Sequence, residues 1–208
     1  IVADDGSTDR TVALVREYQG KHPQLRVLAF PHNRGRGAAV RDAVFSAHGT
    51  FILEMDADGS VNVDAVTTFL KYLDRHPEAH VLVGSRMMPG AKIVTPQPWY
   101  RVMLGWGFVL CAKLLFGWPL IDRVNGYKMF RRAAAEDIFR HQFENGFIAE
   151  AEIVYVAERR GWTVRALPIC WTDFRGSRVR PFWEVGRSLR AMLRILGRDR
   201  RGEYLRHG

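Results

Sequence analysis

The stretch that most constrains this chain runs from Thr50 to Ser60: Thr-Phe-Ile-Leu-Glu-Met-Asp-Ala-Asp-Gly-Ser. An apolar, β-prone run feeds directly into two carboxylates spaced i, i+2 with a glycine behind them, the pattern of a buried strand ending at its carboxyl edge. Asp56 and Asp58 are placed at that edge. In open α/β sheets this is where ligands bind, and two hard oxygen donors there suit a divalent cation bridging to phosphate. Asp-Gly after a strand is also ordinary turn chemistry, because glycine takes φ > 0 and aspartate bonds nearby backbone amides. A calcium loop of the EF-hand type does not fit. It needs glycine at its sixth position, and here glycine comes fourth.

The neighbouring segments alternate strand and helix. A strand over Ile1–Ala3 precedes Asp4-Asp5-Gly6-Ser7-Thr8-Asp9, a turn whose polar residues can cap a helix from Arg10 to about Gly20 with Thr11, Leu14, Val15 and Tyr18 on one face. A strand over Leu25–Phe30 leads to Asn33-Arg34-Gly35-Arg36-Gly37-Ala38, which opens a helix ending near Gly49. This opening matches neither GxGxxG nor the P-loop, so a tight helix start is the favoured role over a phosphate cradle. Asp64–Arg75 is a further amphipathic helix, and Val81–Arg86 a strand ending in arginine. Arg86 can pair with a surface carboxylate, or use its planar guanidinium on phosphate at the same kind of strand end as Asp56 and Asp58. This alternation predicts an α/β fold with a mostly parallel sheet flanked by helices.

The carboxyl half changes character after Pro98. Trp99–Trp118 is almost wholly apolar apart from Arg101 and Lys113, but its uninterrupted run, Val102–Ala112, is short of the roughly 20 residues a membrane span needs. It reads as a buried or interfacial helix. No element is assigned over Asp122–Phe130. Helices are expected over Arg131–His141 and Phe147–Arg160, the second with Glu150 and Glu152 near its start, where they favour the helix dipole. A last strand is expected over Trp162–Trp171, then a basic loop, then a helix over Phe182–Leu196. That helix sets Val185, Leu189, Met192, Leu193 and Leu196 against Arg187, Arg190 and Arg194, the composition of a membrane-surface element.

Charge and cysteine usage narrow the class. The formal net charge of +9 is concentrated between Arg175 and Arg206, a tail that attracts polyanions, and no nucleic-acid-binding motif accompanies it. Cys111 and Cys170 lie far apart without CxxC or Cys/His spacing, so a disulfide framework and a zinc site built on them are not expected. The chain opens inside a strand, the mark of a fragment without its first strand.

With these stretches in place the chain resembles glycosyltransferase family 2 in its GT-A fold, in particular the dolichyl/polyprenyl-phosphate sugar synthases. The matching segments are IVADDGSTD, NRGRGAAVRDAVFSAHG, MDADGS, VGSR, DRVNGYKMFRR and CWTDFRGSRVRPFW. The Asp-Ala-Asp-Gly-Ser wording, with Trp-Thr-Asp followed by Gly-Ser-Arg and Pro-Phe-Trp, is most similar to dolichyl-phosphate β-glucosyltransferases, with mannose synthases second.

The resemblance implies a GT-A catalytic domain over residues 1–180, lacking its first strand, and a basic amphipathic helix and tail over 181–208. It implies a nucleotide-sugar donor, UDP-glucose or GDP-mannose, a polyprenyl or dolichyl phosphate acceptor, no nucleic acid, and a membrane surface at its cytoplasmic face. Ala3 and Asp5 match positions at the nucleoside. Asp56, Ala57 and Asp58 match the Asp-Xaa-Asp motif, with Asp58 on the metal and Ser60 where mannose synthases place a glutamine. Arg86 and Arg101 match arginines near the acceptor phosphate, and Arg178 a basic residue over the donor diphosphate. The segment usually written Asp-Thr-Gln-Cys-Gly-Phe-Lys stands here as Asp122-Arg123-Val124-Asn125-Gly126-Tyr127-Lys128. Two rival readings stay open: a family 2 transferase acting on a glycan hydroxyl, with Glu150 or Asp122 as base, and an inactive nucleotide-sugar-binding module.

Overall fold

A computed structural model describes residues 1–95, 98–119, 124–173 and 181–205, without the side chains of residues 101 and 181–185. In chain order the elements are β1 (Val2–Asp4), α1 (Thr11–Lys21), β2 (Val27–Ala29), α2 (Arg36–Ser46), β3 (Phe51–Glu54), α3 (Ala65–Arg75), β4 (Val81–Ser85) and β5 (Lys92–Thr95). There follow α4 (Trp99–Phe116), β6 (Lys128–Arg131), α5 (Arg132–Arg140), α6 (Ala149–Arg159), β7 (Val164–Pro168), β8 (Cys170–Thr172) and α7 (Pro181–Arg200).

The central sheet has the order β3-β6-β4-β7. β4 and β7 are parallel, whereas β6 runs antiparallel to both β3 and β4. β1 pairs with β2, and β5 with β8, each in parallel. The α/β alternation thus holds, with a strand added where the sequence suggests none. β6 is only Lys-Met-Phe-Arg, too short and too charged for period-2 alternation to register. The strand expected over Trp162–Trp171 is divided at Ile169, whose amide donates to Ser85 O and whose carbonyl accepts from Lys92 N. This lets β7 extend the main sheet while β8 leaves it for β5.

Both faces of the sheet are covered. On one, Phe69 and Leu73 of α3 pack with Leu82, Tyr127, Met129, Ile169 and Trp171. Complete burial of a side chain such as Phe69 contributes about 1.5–3 kcal/mol. On the other, Val44 of α2, Ala134 and Ile138 of α5, Ile153 and Val156 of α6 and Ala112 of α4 meet Val81, Val83 and Phe130. Ala191, Met192 and Ile195 of α7, with the fully buried Tyr204, complete this core. The amphipathic face expected for α1 is not buried: Leu14 and Tyr18 are exposed, because α1 packs only on the narrow β1–β2 pair.

α4 divides its apolar surface. Val109 and Ala112 enter the core, while Trp99, Met103, Trp106, Leu110 and Leu114, spaced three and four residues apart, form an exposed stripe. α4 packs against α7. There the expected faces are revised: Leu189 and Leu193 are exposed, and Arg194 joins Arg198 on Glu144, at 2.6 Å each for the closest contacts. Their guanidinium groups hold the buried Glu144 carboxyl below the usual range against the opposing pull of burial. Both cysteines are free. Among the described residues no helix is long and apolar enough to cross a membrane.

Candidate active site

The antiparallel entry of β6 makes one rim of the sheet chemically dense. β3 leaves the sheet there at Glu54 and β4 at Ser85, while β6 arrives at Lys128, which stands opposite both Glu54 and Val83. Asp56 and Asp58 follow Glu54 into a turn closed by Gly59 at φ 72°, and the Ser60 amide donates to Asp58 Oδ1 at 2.9 Å. Asp58 itself is exposed, which leaves its other oxygen for a ligand.

Arg86 reaches the same rim through aromatic and backbone contacts. Its guanidinium stands 5.0 Å from the Trp171 ring centroid. Trp171 forms a bridge with Val61, and the Thr172 amide donates to Ser60 O at 2.9 Å. Asp58, Ser60, Trp171 and Arg86 are therefore linked in one continuous run of contacts. Arg101 lies on α4 without a described side chain, and Arg178 and Asp122 lie outside the described residues. Ala57 is exposed between the two aspartates, and Ala3 pairs with Leu28 in the β1–β2 ladder.

Beneath Asp56 lies a charged network. Arg36, the first residue of α2, donates from Nη2 to Asp56 Oδ1 at 2.6 Å and from Nη1 to Glu54 Oε1 at 2.9 Å, and also contacts Glu150. Lys128, fully buried, contacts Glu150 from below and donates to Asn125 O at 2.6 Å. Burial alone would lower the Arg36 pKa, but Glu54 and Asp56 outweigh it and hold the guanidinium above its already high ordinary value. Gly126 packs against this pair: a Cβ there would lie 2.6 Å from Arg36 Nη2 and 2.7 Å from Asp56 Cγ.

The first-turn glutamates of α6 thus do more than favour a helix dipole. Glu150 is 1% exposed and held between two cations. Glu152 accepts from the amides of Phe143 and Glu144 and from the Tyr204 hydroxyl. Its carboxyl is raised by burial despite those bonds. The sequence signal for this network was a charged residue inside each short strand, Glu54 in β3 and Lys128 in β6.

Asp5 also has defined partners. Its two oxygens accept from the amides of Arg34 and Gly35, at 2.8 Å each. Gly35 adopts φ 100°, and a Cβ there would lie 2.9 Å from Asn145 C and closer to its oxygen, so only glycine fits. The Gly37 amide donates to Asn145 O at 2.7 Å, so this donor at the helix start is engaged by protein, as expected for a tight start rather than a phosphate cradle.

The family model described as Glycosyl transferase family 2 matches residues 1–139. The chain belongs to this family. It is 33% identical over 184 residues to dolichyl-phosphate beta-glucosyltransferase ALG5C of Trichomonas vaginalis, covering 86% of this chain and 54% of that protein. It is 31% and 30% identical over 198 residues to the dolichyl-phosphate beta-glucosyltransferases of Drosophila melanogaster and Homo sapiens, covering 91% of this chain and 61% of each. This family 2 chain thus spans somewhat over half the length of these curated relatives.

Among solved structures, glucosyl-3-phosphoglycerate synthase from Mycobacterium tuberculosis, in complex with Mn2+, UDP and glucosyl-3-phosphoglycerate, matches with a TM-score of 0.56 at 19% identity. The match covers 94% of this chain and 66% of that one. S. aureus TarS 1-349 matches with a TM-score of 0.52 at 20% identity, over 91% and 54%. These likenesses show the fold, which is of the GT-A type.

Proposed function

We propose that this family 2 protein is an inverting glycosyltransferase that moves a hexose from a nucleotide sugar to a phosphate acceptor. In the finer reading the donor is UDP-glucose and the acceptor a polyprenyl or dolichyl phosphate. The observation that carries the proposal is the continuity of Asp58, Ser60, Trp171 and Arg86 on one sheet rim. It links a carboxylate suited to a cation, by way of Ser60 and Trp171, to a guanidinium suited to an anion. The names of the curated relatives supply the finer reading.

The residues fit a divalent cation. No group of three or more metal-binding side chains occurs among the described residues. Mg2+ does not require one, since it is commonly held by one or two carboxylates with the remaining positions left to water and substrate phosphate. Asp58 has an oxygen to offer, its other one accepting from the Ser60 amide, while Asp56 Oδ1 is committed to Arg36. When bound, Mg2+ or Mn2+ neutralises charge developing on the departing diphosphate.

The surroundings of Glu150 favour a phosphate acceptor. A glycan hydroxyl would need a carboxylate base; of the two candidates, Asp122 lies outside the described residues, and Glu150 is buried between Lys128 and Arg36 and presents no accessible oxygen to a substrate. A phosphomonoester has a second pKa near 6 and attacks already ionised, so it needs no base. Arg86 would hold that anion in line, with Arg101 and Arg178 assigned the acceptor and donor phosphates by resemblance.

The acceptor's lipid implies a membrane surface at the cytoplasmic face. The exposed stripe of α4, Trp99 to Leu114, and the exposed Arg187 and Arg190 of α7, the helix that α4 packs against, support this reading. We also assign residues 1–180 to the catalytic body and 181–208 to this surface element. The test is transfer of radiolabel from UDP-glucose, with GDP-mannose in parallel, into an organic-extractable product by the full-length protein. Label from UDP-glucose is expected; label from GDP-mannose alone would reassign the donor, and label only in a water-soluble glycan would overturn the phosphate acceptor.

A further inference from the structure

Asp5 and Asp56 stand at the ends of β1 and β3, strands of different sheets, yet one short stretch of chain touches both. Residues 34 and 35 give their amides to Asp5, and the next residue, Arg36, gives its side chain to Asp56. We propose that the Arg34–Arg36 turn is a coupling element in which Asp5 is a positioning residue: it fixes the turn, and Arg36 carries that constraint to the Asp56 carboxylate. The inference rests on the reading of the Asp56–Asp58 turn as the site of the donor's diphosphate and its cation.

The turn is stiff at every point where it would have to give. Gly35 is confined by Asn145, the Gly37 amide is bonded to Asn145 O, and Gly37 has no room for a Cβ beside Glu144 O at 2.7 Å. Two of the three carboxylates holding Arg36 are buried, Glu54 at 6% and Glu150 at 1% exposure, so withdrawing the guanidinium would strand both in low dielectric. Asp56 is the exposed member, its side chain 47% accessible. Arg36 is thus anchored from below and dictates the orientation of the acid above. Three carboxylates face two cations, Arg36 and Lys128, so the network as a whole is net negative, and Asp56 is the acid of the three that solvent and a ligand can reach.

This differs from a direct contact between Asp5 and a nucleoside. A nucleoside contact would act with or without metal. A clamp acting through Arg36 matters chiefly when the Asp56–Asp58 turn must present itself to a cation.

Calorimetric titration of the full-length protein with UDP, with and without Mn2+, separates the two. Asp5→Asn, which puts an amide N–H where an acceptor is needed, and Arg36→Lys, which keeps charge but loses the fork, are each expected to weaken Mn2+-dependent UDP binding about tenfold. Metal-free UDP binding, which reads any direct contact of Asp5 with the nucleoside, is expected to fall at least about threefold less. The double variant should be no worse than the weaker single, a coupling of about 1.4 kcal/mol. If Arg36→Lys fails to fold, the same cycle with Asp56→Asn, which strands no buried charge, gives the coupling directly.

Equal loss in the presence and absence of Mn2+, or additive losses in the cycle, would overturn the coupling while leaving the donor site intact. A wild-type protein that binds no UDP with Mn2+ would overturn the donor-site reading, and the coupling with it.

Discussion

Replacing Gly126 by alanine adds one methyl group at the point where the candidate site is tightest. The new Cβ would lie 2.6 Å from Arg36 Nη2 and 2.7 Å from Asp56 Cγ. Ordinary contacts between such atoms lie near 3.5 Å, so the two side chains must retreat by about 1 Å. Gly126 does not have a left-handed φ, so alanine brings no backbone penalty there. Asp56 is exposed and takes most of the displacement, while Arg36 is held by its buried acids, so the stability cost should be about 1–2 kcal/mol. Function should suffer more. A misplacement of about 1 Å in a positioned group costs on the order of a hundredfold in rate, about 2.7 kcal/mol of transition-state stabilisation. The assay is the UDP-glucose transfer reaction beside a thermal melt. A variant that melts within a few degrees of wild type and loses about two orders of magnitude in kcat/KM is expected. Unchanged kcat/KM would refute the placing of Asp56 and Arg36 in the working site.

Asp58→Asn should abolish metal-dependent transfer with a melting temperature close to wild type, because the exposed side chain loses its charge but keeps an oxygen to accept from the Ser60 amide; transfer that persists and resists chelation would contradict this. Glu150→Gln should cost about 3–5 kcal/mol by leaving Lys128 buried without its anion, measurable in urea unfolding; an unaltered unfolding curve with abolished transfer would instead mark Glu150 as a base. Glu144→Gln should lose about 2 kcal/mol at neutral pH with its arginine pairs. Because the folded-state pKa of Glu144 is depressed, this contribution is present above the ordinary glutamate value and is lost as pH falls through the lowered one. The gap between variant and wild type should therefore close in acid, and a gap constant with pH would be inconsistent with the pairing. Changing Arg187 and Arg190 together to glutamate should release the protein from anionic vesicles in co-sedimentation; undiminished binding would dismiss the α7 surface as a membrane contact.

The sequence carried those parts of the site whose signal is local. An apolar run ending in Asp56 and Asp58, and a strand ending in Arg86, could be read because a strand and its following turn are contiguous. The network below them could not, because Arg36, Glu54, Lys128 and Glu150 come from four separate elements and meet only when β6 slots between β3 and β4. Glu150 looked like a helix-start acid because that is the usual reason for an acid there. On α7, periodicity gave the helix but not its rotation: Glu144, on the α5–α6 connection, captures Arg194 and Arg198, leaving Leu189 and Leu193 outside. The clamp by Asp5 was equally hidden, since its partners are backbone amides that any residue type would offer.

The reversed direction of β6 has one more implication. Two of its lead-in positions are pinned by their surroundings, Gly126 by want of space and Lys128 by its buried acid. Val124 packs against the core and Asn125 is buried, so the inner side of the lead-in is held as well. A change in this lead-in is therefore felt on two sides at once, by the Asp56–Arg36 pair at the rim and by the packed core below it.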